Sequence, residues 1–569
     1  LNRQAEKFPE VLDLVDRQDL EGALRACSSA LTETPEDQEL RCLFGIINGR
    51  MGRFQLAEAC LRTILENQPN HSYALYNLGK VLVILGRFGE AIVAYRKAVE
   101  ARPDFAEAYT NLGTLYGRCR QWDAASTCLR QGLASPSDPT NRLIHLTPPG
   151  EDAVLQIMST YLALQSYHVL NSPEESLALH RDWETRYLAV HQVTPYTHSR
   201  AHSRSGRIRI GYVSPDLRQH SVAYFMEPII AAHDRDRVEV FCYAEVRAPD
   251  AVTARLRALS DHWRDTLNLS DAEVARQVHA DGIDVLVDLA GHTRDGRLGV
   301  FEYRPAPVQV TYLGYFTTTG LSTMDYWLTD ATLSPEGSIE VSSERLWRLP
   351  DCSLCYGPPG DAPEVVDRAP DECFTLGSFN DLSKVSDAAL ALWVRVMQAV
   401  PEASLIIKAK QFADHGLREA FIAAFVRAGI SADRLQLLER TQDSRAHLAL
   451  YGGIDVALDT IPRTGGTTTA EALWMGVPVV TLAGNRYVER LSATMLHGVG
   501  LGDCVTADEA AYIDRVVAFA KDRAGLYPLR MGMRERLINQ GFCDGRRVAL
   551  MLEDGFESMC AASEKGQKT

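Results

Sequence analysis

No stretch of this 569-residue chain is apolar for long enough to cross a bilayer, and no basic-then-apolar segment stands at its start. The expectation is a cytoplasmic protein that engages no membrane. Positive charge is scarce too. Against 74 Asp and Glu there are 59 Lys and Arg, a net charge of −15, which speaks against a general nucleic-acid or anionic-lipid binder. A disulfide framework is also missing, because the 12 cysteines are scattered without a repeating spacing and read as reduced thiols. One CxxC, Cys352-Ser353-Leu354-Cys355, has no matching second pair, and a zinc site needs about four ligands, so no metal site is expected there. What remains is an ordinary globular composition, 46% hydrophobic and 23% charged. Its length calls for several domains, since a domain runs to about 100–200 residues.

The first part is periodic. Ala23, Ala57, Ala91 and Ala125 lie 34 residues apart, as do Pro35, Pro69 and Pro103, and Gly45, Gly79 and Gly113. Leu78-Gly79, Ala91, Tyr95, Ala98 and Pro103 fit the tetratricopeptide pattern. The small residue lets two antiparallel helices approach, and the proline ends the second helix of each pair. The first repeat keeps only its second-helix signals, and in the fourth the terminal proline is displaced to Pro136. Residues 1–140 are therefore expected to form an α-helical solenoid that binds protein or peptide in a concave groove. Residues 141–205 read as a helical linker, with a Pro-containing break over 141–150 and helices over 153–169 and 173–190. His180, on the second of these helices, reads as a surface residue or as core packing.

From Arg207 the period changes. Short apolar runs at 208–214, 238–243, 283–289 and 308–313 alternate with helical segments such as 271–280. A second alternation follows, with strands at 374–379, 404–408, 435–438, 454–458 and 478–482. Its helices are expected over 387–400 and 417–428, with trailing helices over 508–521, 529–539 and 546–562. Strands alternating with helices imply parallel doubly wound sheets. The expected fold is a tetratricopeptide solenoid followed by α/β. It has two Rossmann-like lobes, over 206–370 and 371–569, the architecture of GT-B nucleotide-sugar glycosyltransferases. Ligands in such sheets sit beyond the carboxyl ends of the strands. Those ends carry Pro215 to His220, Gly291-His292-Thr293 and Gly314-Tyr315.

One stretch concentrates the chemistry. After the strand at 454–458 comes Asp459-Thr460-Ile461-Pro462-Arg463-Thr464-Gly465-Gly466-Thr467-Thr468-Thr469, then a helix expected from Ala470. Glycines let backbone approach a phosphate, threonine hydroxyls add donors, and free N–H groups at the helix start point at the charge. Glu471 then falls in the first turn, within reach of a sugar hydroxyl. An ordinary strand–helix loop with a threonine N-cap fits the same letters. Breaking a sugar–diphosphate bond builds charge on the phosphates, and Lys384, expected at a helix start after a strand, can meet it together with the helix N-terminus at Thr467. His220 or His279 could take the acceptor proton. Asp234-Arg235-Asp236 has the DxD form of a metal motif but sits in a polar turn and reads as a solvated loop.

Four segments in order resemble the cytosolic protein O-GlcNAc transferase family. They are RIRIGYVSPDL at 207–217 with His220, RPAPVQVTYLG at 304–314, SFNDLSK at 378–384, and 459–474. With the repeats in front, the chain resembles a compact bacterial-type member without the long insert that animal members carry between the lobes. The resemblance implies an inverting enzyme that uses a UDP-sugar, needs no metal or cofactor, and releases UDP while glycosylating protein Ser or Thr. It places Asp216 and His220 on the sugar and phosphate side, His279 as a considered base, and Leu313-Gly314 at the turn approaching the sugar. Lys384, Gly465, Thr467 and Thr468 fall to the diphosphate, His447 with nearby Gln442 to the uracil, and Glu471 to the ribose. Two positions depart from animal members, which carry His at Gly466 and Gln at Asp381. Both bear on donor identity. UDP-GlcNAc is the favoured donor. Transfer of another sugar from UDP-Glc or GDP-fucose, and an inactive repeat-containing scaffold, are the alternatives.

Overall fold

The computed structural model describes residues 8–135, 153–167, 171–198, 206–368 and 372–566. The expected break at 141–150 and the displaced Pro136 lie outside the described residues. Contacts divide the chain into two units, Leu1–Tyr161 with Lys410–Ala423, and Leu162–Ala409 with Ala424–Thr569. No helix among the described residues is long and apolar enough to cross a membrane.

The first unit is a series of helix pairs: Pro9–Asp16 with Leu20–Glu33, Gln38–Arg50 with Phe54–Asn67, Ser72–Ile84 with Phe88–Ala101, and Ala106–Arg118 with Trp122–Ala134. Each feature of the 34-residue period has a steric cause. The four repeat alanines are 0% exposed, and a Cβ at Gly79 would come 2.6 Å from the Tyr95 ring. Pro35, Pro69 and Pro103 each follow the C-cap residue of a second helix, Thr34, Gln68 and Arg102. The first repeat has a first helix after all. It is eight residues long, opens with Pro9, and packs Val11, Leu12 and Val15 against Ala23, Cys27 and Leu40. The segment Lys410–Ala423 belongs to this unit. Gly89 donates its N–H to Asp414 Oδ2 at 2.8 Å, Leu417 packs on the repeat core, and Arg120 lies 5.6 Å over the Phe421 ring.

The second unit holds two parallel sheets. The first contains β1 (Ile208–Ser214), β2 (Val238–Ala244), β3 (His262–Asp265), β4 (Val285–Asp288), β5 (Val308–Thr311), β6 (Tyr326–Asp330) and β7 (Arg345–Leu349), in the order β3-β2-β1-β4-β5-β6-β7. The second contains β8 (Thr375–Ser378), β9 (Ser404–Lys408), β10 (Leu435–Leu438), β11 (Val456–Leu458), β12 (Val479–Leu482) and β13 (Val505–Thr506), in the order β10-β9-β8-β11-β12-β13. Every ladder is parallel. Both orders reverse direction beside the first strand of the sheet, which opens a crevice at the carboxyl ends.

The trailing segment departs from expectation in two ways. The single helix expected over 529–539 is two, Arg523–Met531 and Met533–Asn539, separated at Gly532. The final helix, Gly545–Gly566, packs on the first lobe rather than the second. Its Glu553, 0% exposed, accepts from Asp234 N and faces His233 Nδ1, both at 2.9 Å, while Arg237 pairs with Glu553, Asp554 and Glu557.

Candidate active site

The second lobe builds its site around Asp459, the residue that follows β11. This carboxylate is 1% exposed. Its Oδ1 accepts from Gly465 N at 2.7 Å and Thr460 N at 2.8 Å, and its Oδ2 from Thr481 Oγ1 at 2.7 Å. Burial pushes its pKa up, and these donors oppose the push. The loop is thus folded over a buried acceptor. A side chain at Gly465 would overlap Thr469 Oγ1, so only glycine fits there, whereas Gly466 has open space. The helix begins at Thr467, not at Ala470, and runs to Trp474 with Gly466 as an N-cap that has no side chain to offer. The threonine-cap reading is therefore replaced by an uncapped helix start. Glu471 sits in the second turn, not the first, because the threonines are themselves helical.

Lys384 reaches this helix start from β8. A short 3₁₀ turn, Leu382–Lys384, is capped by Asp381, which accepts from Ser383 N at 3.0 Å. Lys384 Nζ donates to Asn380 Oδ1 at 3.3 Å, and Thr468 Oγ1 donates to the same oxygen at 2.8 Å. Two donors from different strand ends therefore share one amide acceptor. A phosphate oxygen can replace that acceptor with better geometry and more charge. Burial, and then the Arg463 charge, push the Lys384 pKa down to about 8, against the pull of Asp459, Asp381 and Glu471.

A second chain of contacts lies beside it. Lys408 Nζ at the end of β9 is 2.8 Å from His447 Nδ1, and His447 Nε2 is 3.1 Å from Glu471 Oε2. An ammonium can only donate, so Nδ1 accepts and the ring proton sits on Nε2, facing the carboxylate. Phe379 and Tyr451 pack around this imidazole at 5.8 and 5.7 Å. Gln442 is exposed in the turn before the helix Ser444–Ala449 and makes none of these contacts.

The first lobe supplies the facing wall. Gln219 Nε2 donates to Ser444 Oγ at 3.0 Å, which sets the loop after β1 against the helix that carries His447. The next residue, His220, is the N-cap of the helix Ser221–Ala232. Its Nδ1 lies 3.4 Å from Val222 N and 3.4 Å from Asp216 Oδ1. Toward Val222, Nδ1 must accept. Toward Asp216 it must donate, which frees Nε2 as a base. Burial, with Arg218 beside it, pushes the His220 pKa down to about 4 and keeps the ring neutral at pH 7. Burial raises Asp216 to about 6, with Arg218 opposing and Asp295 adding to the rise.

After β5 the chain turns through Leu313 at φ +44°. Gly314 follows, packed so closely on β4 that a Cβ would overlap the carbonyl of Leu289. Tyr315 is then held from below. Ser176 O is 2.6 Å from His180 Nδ1, so that nitrogen carries the proton, and the Tyr315 hydroxyl donates to Nε2 at 2.8 Å. His180 is indeed a packed core histidine, 0% exposed, but one that anchors a strand-end loop.

His279 is not brought to this place. It ends the helix Asp271–Asp281 before β4, and a residue before a parallel strand lies at the amino edge of the sheet. There it stacks on Tyr196 at 4.0 Å. Asp234 lies at the same edge, before β2, in a solvent-facing turn as expected, and is ion-paired there with Arg546 at 3.0 Å. Cys352 and Cys355 are buried free thiols. Among the described residues no group of three His, Cys, Asp or Glu could hold a metal. Three residues of the site were not singled out in the sequence: Asn380, Lys408 and Arg463. Their position at or beyond the carboxyl ends of parallel strands was the available signal.

Residues 180–356 and 365–549 match the family described as Glycosyl transferase family 41, and residues 79–118 match a TPR repeat. The chain is 38% identical over 395 residues to a probable UDP-N-acetylglucosamine–peptide N-acetylglucosaminyltransferase, SPINDLY, of Arabidopsis thaliana, covering 68% of this chain and 43% of the relative. The probable UDP-N-acetylglucosamine–peptide N-acetylglucosaminyltransferase SEC of the same plant is 28% identical over 435 residues, covering 72% and 44%. The chain thus spans less than half the length of these curated relatives. Among solved structures, a lysine-to-methionine mutant of the O-GlcNAc transferase of Thermobaculum terrenum matches with a TM-score of 0.82 and 36% identity, over 93% of this chain and 98% of that one.

Proposed function

The chain belongs to glycosyl transferase family 41, and on that premise we propose that it moves N-acetylglucosamine from UDP-GlcNAc to Ser or Thr hydroxyls of proteins, with inversion and without a metal. The observation that carries this reading is the convergence of Lys384 and Thr468 on Asn380 at an uncapped helix start. That arrangement supplies positive charge and N–H donors where a diphosphate leaves. The names of the relatives and of the similar structure support the sugar and the acceptor class.

Each wall of the crevice has a part in this reading. His447, with its tautomer fixed by Lys408, faces the base. Glu471 keeps carboxylate capacity for a ribose hydroxyl. Lys384 and the N–H groups of Thr467 and Thr468 take the phosphates. The Leu313–Gly314 turn backs the sugar. The acceptor oxygen forms its bond to the anomeric carbon from the face opposite the diphosphate. The bond from that carbon to the β-phosphate oxygen breaks, and its electron pair leaves with UDP. The hydroxyl proton passes to neutral His220, whose Nε2 is basic when Nδ1 donates to Asp216. His279 is left out because it lies at the other edge of the sheet. Asp234 is left out because Arg546 already holds it. The repeats would present the acceptor protein.

The test is a thermal-shift panel of UDP-GlcNAc, UDP-Glc, GDP-fucose and UDP on the full chain, followed by transfer to protein acceptors read by mass spectrometry. A ligand at about 100 times its dissociation constant stabilises by ~2.7 kcal/mol. Stabilisation by UDP-GlcNAc and UDP with N-acetylhexosamine added to Ser or Thr is the expected result. Response to GDP-fucose alone would replace the donor, and no response to any nucleotide sugar would favour the scaffold.

A further inference from the structure

Arg463 stands out among the cations of this site because its guanidinium is buried against aromatic rings with one nitrogen unpartnered. It is 8% exposed, in the loop that runs from Asp459 to the helix start at Thr467. Its guanidinium lies 3.8 Å over the Tyr167 ring and 4.9 Å over the Phe316 ring, and Nη1 donates to Ser166 Oγ at 3.0 Å. Its Nε is buried without a partner. Among the described residues no Asp or Glu makes an ion pair with it. The nearby carboxylates are engaged elsewhere: Asp459 by Gly465, Thr460 and Thr481, and Glu471 by His447.

A buried charge is costly unless something pairs with it. Aromatic faces and one hydroxyl offset part of that cost but neutralise none of the charge. Phe316 follows Tyr315 on the sugar-side loop, and the Arg463 charge acts on both Tyr315 and Lys384. The Arg463 backbone thus belongs to the loop that leads to the helix start at Thr467, while its guanidinium packs on Phe316, two residues after Gly314. We propose that Arg463 is a second cation for the diphosphate of the nucleotide-sugar donor, held ready by aromatic stacking instead of by a carboxylate. The planar fork of arginine suits phosphate oxygens, which a lysine meets only as a point charge. The two cations share the work. Lys384 serves the bond that breaks, and Arg463 completes the charge balance when the donor arrives.

This inference rests on the nucleotide-sugar reading, and the experiment separates the two. Binding of UDP, of uridine and of UDP-GlcNAc to the full chain is measured by calorimetry and ligand-observed NMR for wild type, Arg463→Met, Arg463→Lys and Lys384→Ala. A charged hydrogen bond corresponds to about 10- to 100-fold in affinity. Arg463→Met is expected to lose UDP affinity by about that factor while uridine binding changes less than about twofold. Arg463→Lys keeps the stem and the charge, so it gives the same test should the methionine variant not fold, with a smaller loss for UDP and none for uridine. Wild-type UDP affinity in Arg463→Met would overturn the proposal, as would equal loss of UDP and uridine. Loss confined to UDP-GlcNAc would also overturn it, moving Arg463 to the sugar. If Lys384→Ala loses UDP while Arg463→Met does not, only this proposal fails. If neither variant changes UDP binding, the nucleotide-site reading fails with it.

Discussion

Gly314 lies against Leu289 so closely that a Cβ on the glycine would overlap the leucine carbonyl. The obstacle is backbone, which cannot swing away as a side chain can. Gly314→Ala must therefore push the loops after β4 and β5 apart. We expect a loss of at least about 1–3 kcal/mol of stability, the usual cost of overpacking, together with weaker transfer. Denaturant melts and turnover measured on the same preparation check both. An alanine variant that melts and turns over as wild type would remove the turn from the site.

Lys384→Ala should cut kcat on the order of 10²–10³-fold, the cost of removing one preorganised donor to developing charge. The effect belongs mainly to kcat because charge on the β-phosphate grows as the bond breaks. Steady-state kinetics with UDP-GlcNAc read it directly, and full turnover in this variant would remove the proposed leaving-group site.

The acidity of Lys384 sets a pH limb. Its pKa is pushed down to about 8 by burial and by Arg463, with Asp459, Asp381 and Glu471 opposing. The charged form is the active one, so kcat/KM should be full below that value and fall as pH rises through it. Replacing Lys384 by arginine, which stays protonated, should abolish the limb even if the rate is lower. A pH–rate profile for the two proteins decides it.

His220 and Asp216 should act as a pair. His220→Ala is expected to lower transfer by about 10²-fold or more, the usual worth of a general base, while UDP affinity changes little. Asp216→Asn should also slow transfer, since the amide no longer favours the proton on Nδ1. If His220 only packs, its alanine variant will melt lower with unchanged turnover per folded molecule.

Transfer should survive EDTA. Lys384 and the helix start at Thr467 supply the positive charge in this reading, and Asp234 is engaged by Arg546. Loss of UDP binding on chelation, restored by Mn²⁺, would reverse that assignment.

Strands rich in apolar residues were legible in the sequence, whether central like β1 or at an edge like β10. The runs 208–214, 404–408 and 435–438 coincide with β1, β9 and β10. The strands that went unread were β3, β6, β7 and β13. His-Trp-Arg-Asp in β3 and Arg-Leu-Trp-Arg-Leu in β7 carry charges because they lie at the sheet edges, and β13 has two residues. In the site, Lys384, Thr468, His447 and Glu471 were legible as motif members, and the structure brings them together. Asn380 was not, since an asparagine in a loop looks like any turn residue until two donors from distant segments meet on it. His279 shows the converse case. Its letters suit a base, but chain direction places it before a strand and so at the wrong edge.

The segment Lys410–Ala423 counts with the repeats although the whole first sheet precedes it in sequence. The chain is thus stitched back to its own beginning at Gly89 and Arg120, through Asp414 and Phe421. Repeats that carry such stitches cannot be trimmed away as a prefix. A chain starting after residue 135 would strip Leu417 and Phe421 of the repeat residues they pack on. Among the described residues the stitches fall on the third and fourth helix pairs, so a change in repeat number upstream of Gly89 leaves them in place. The length of the solenoid can change there over generations while its last turns stay fixed.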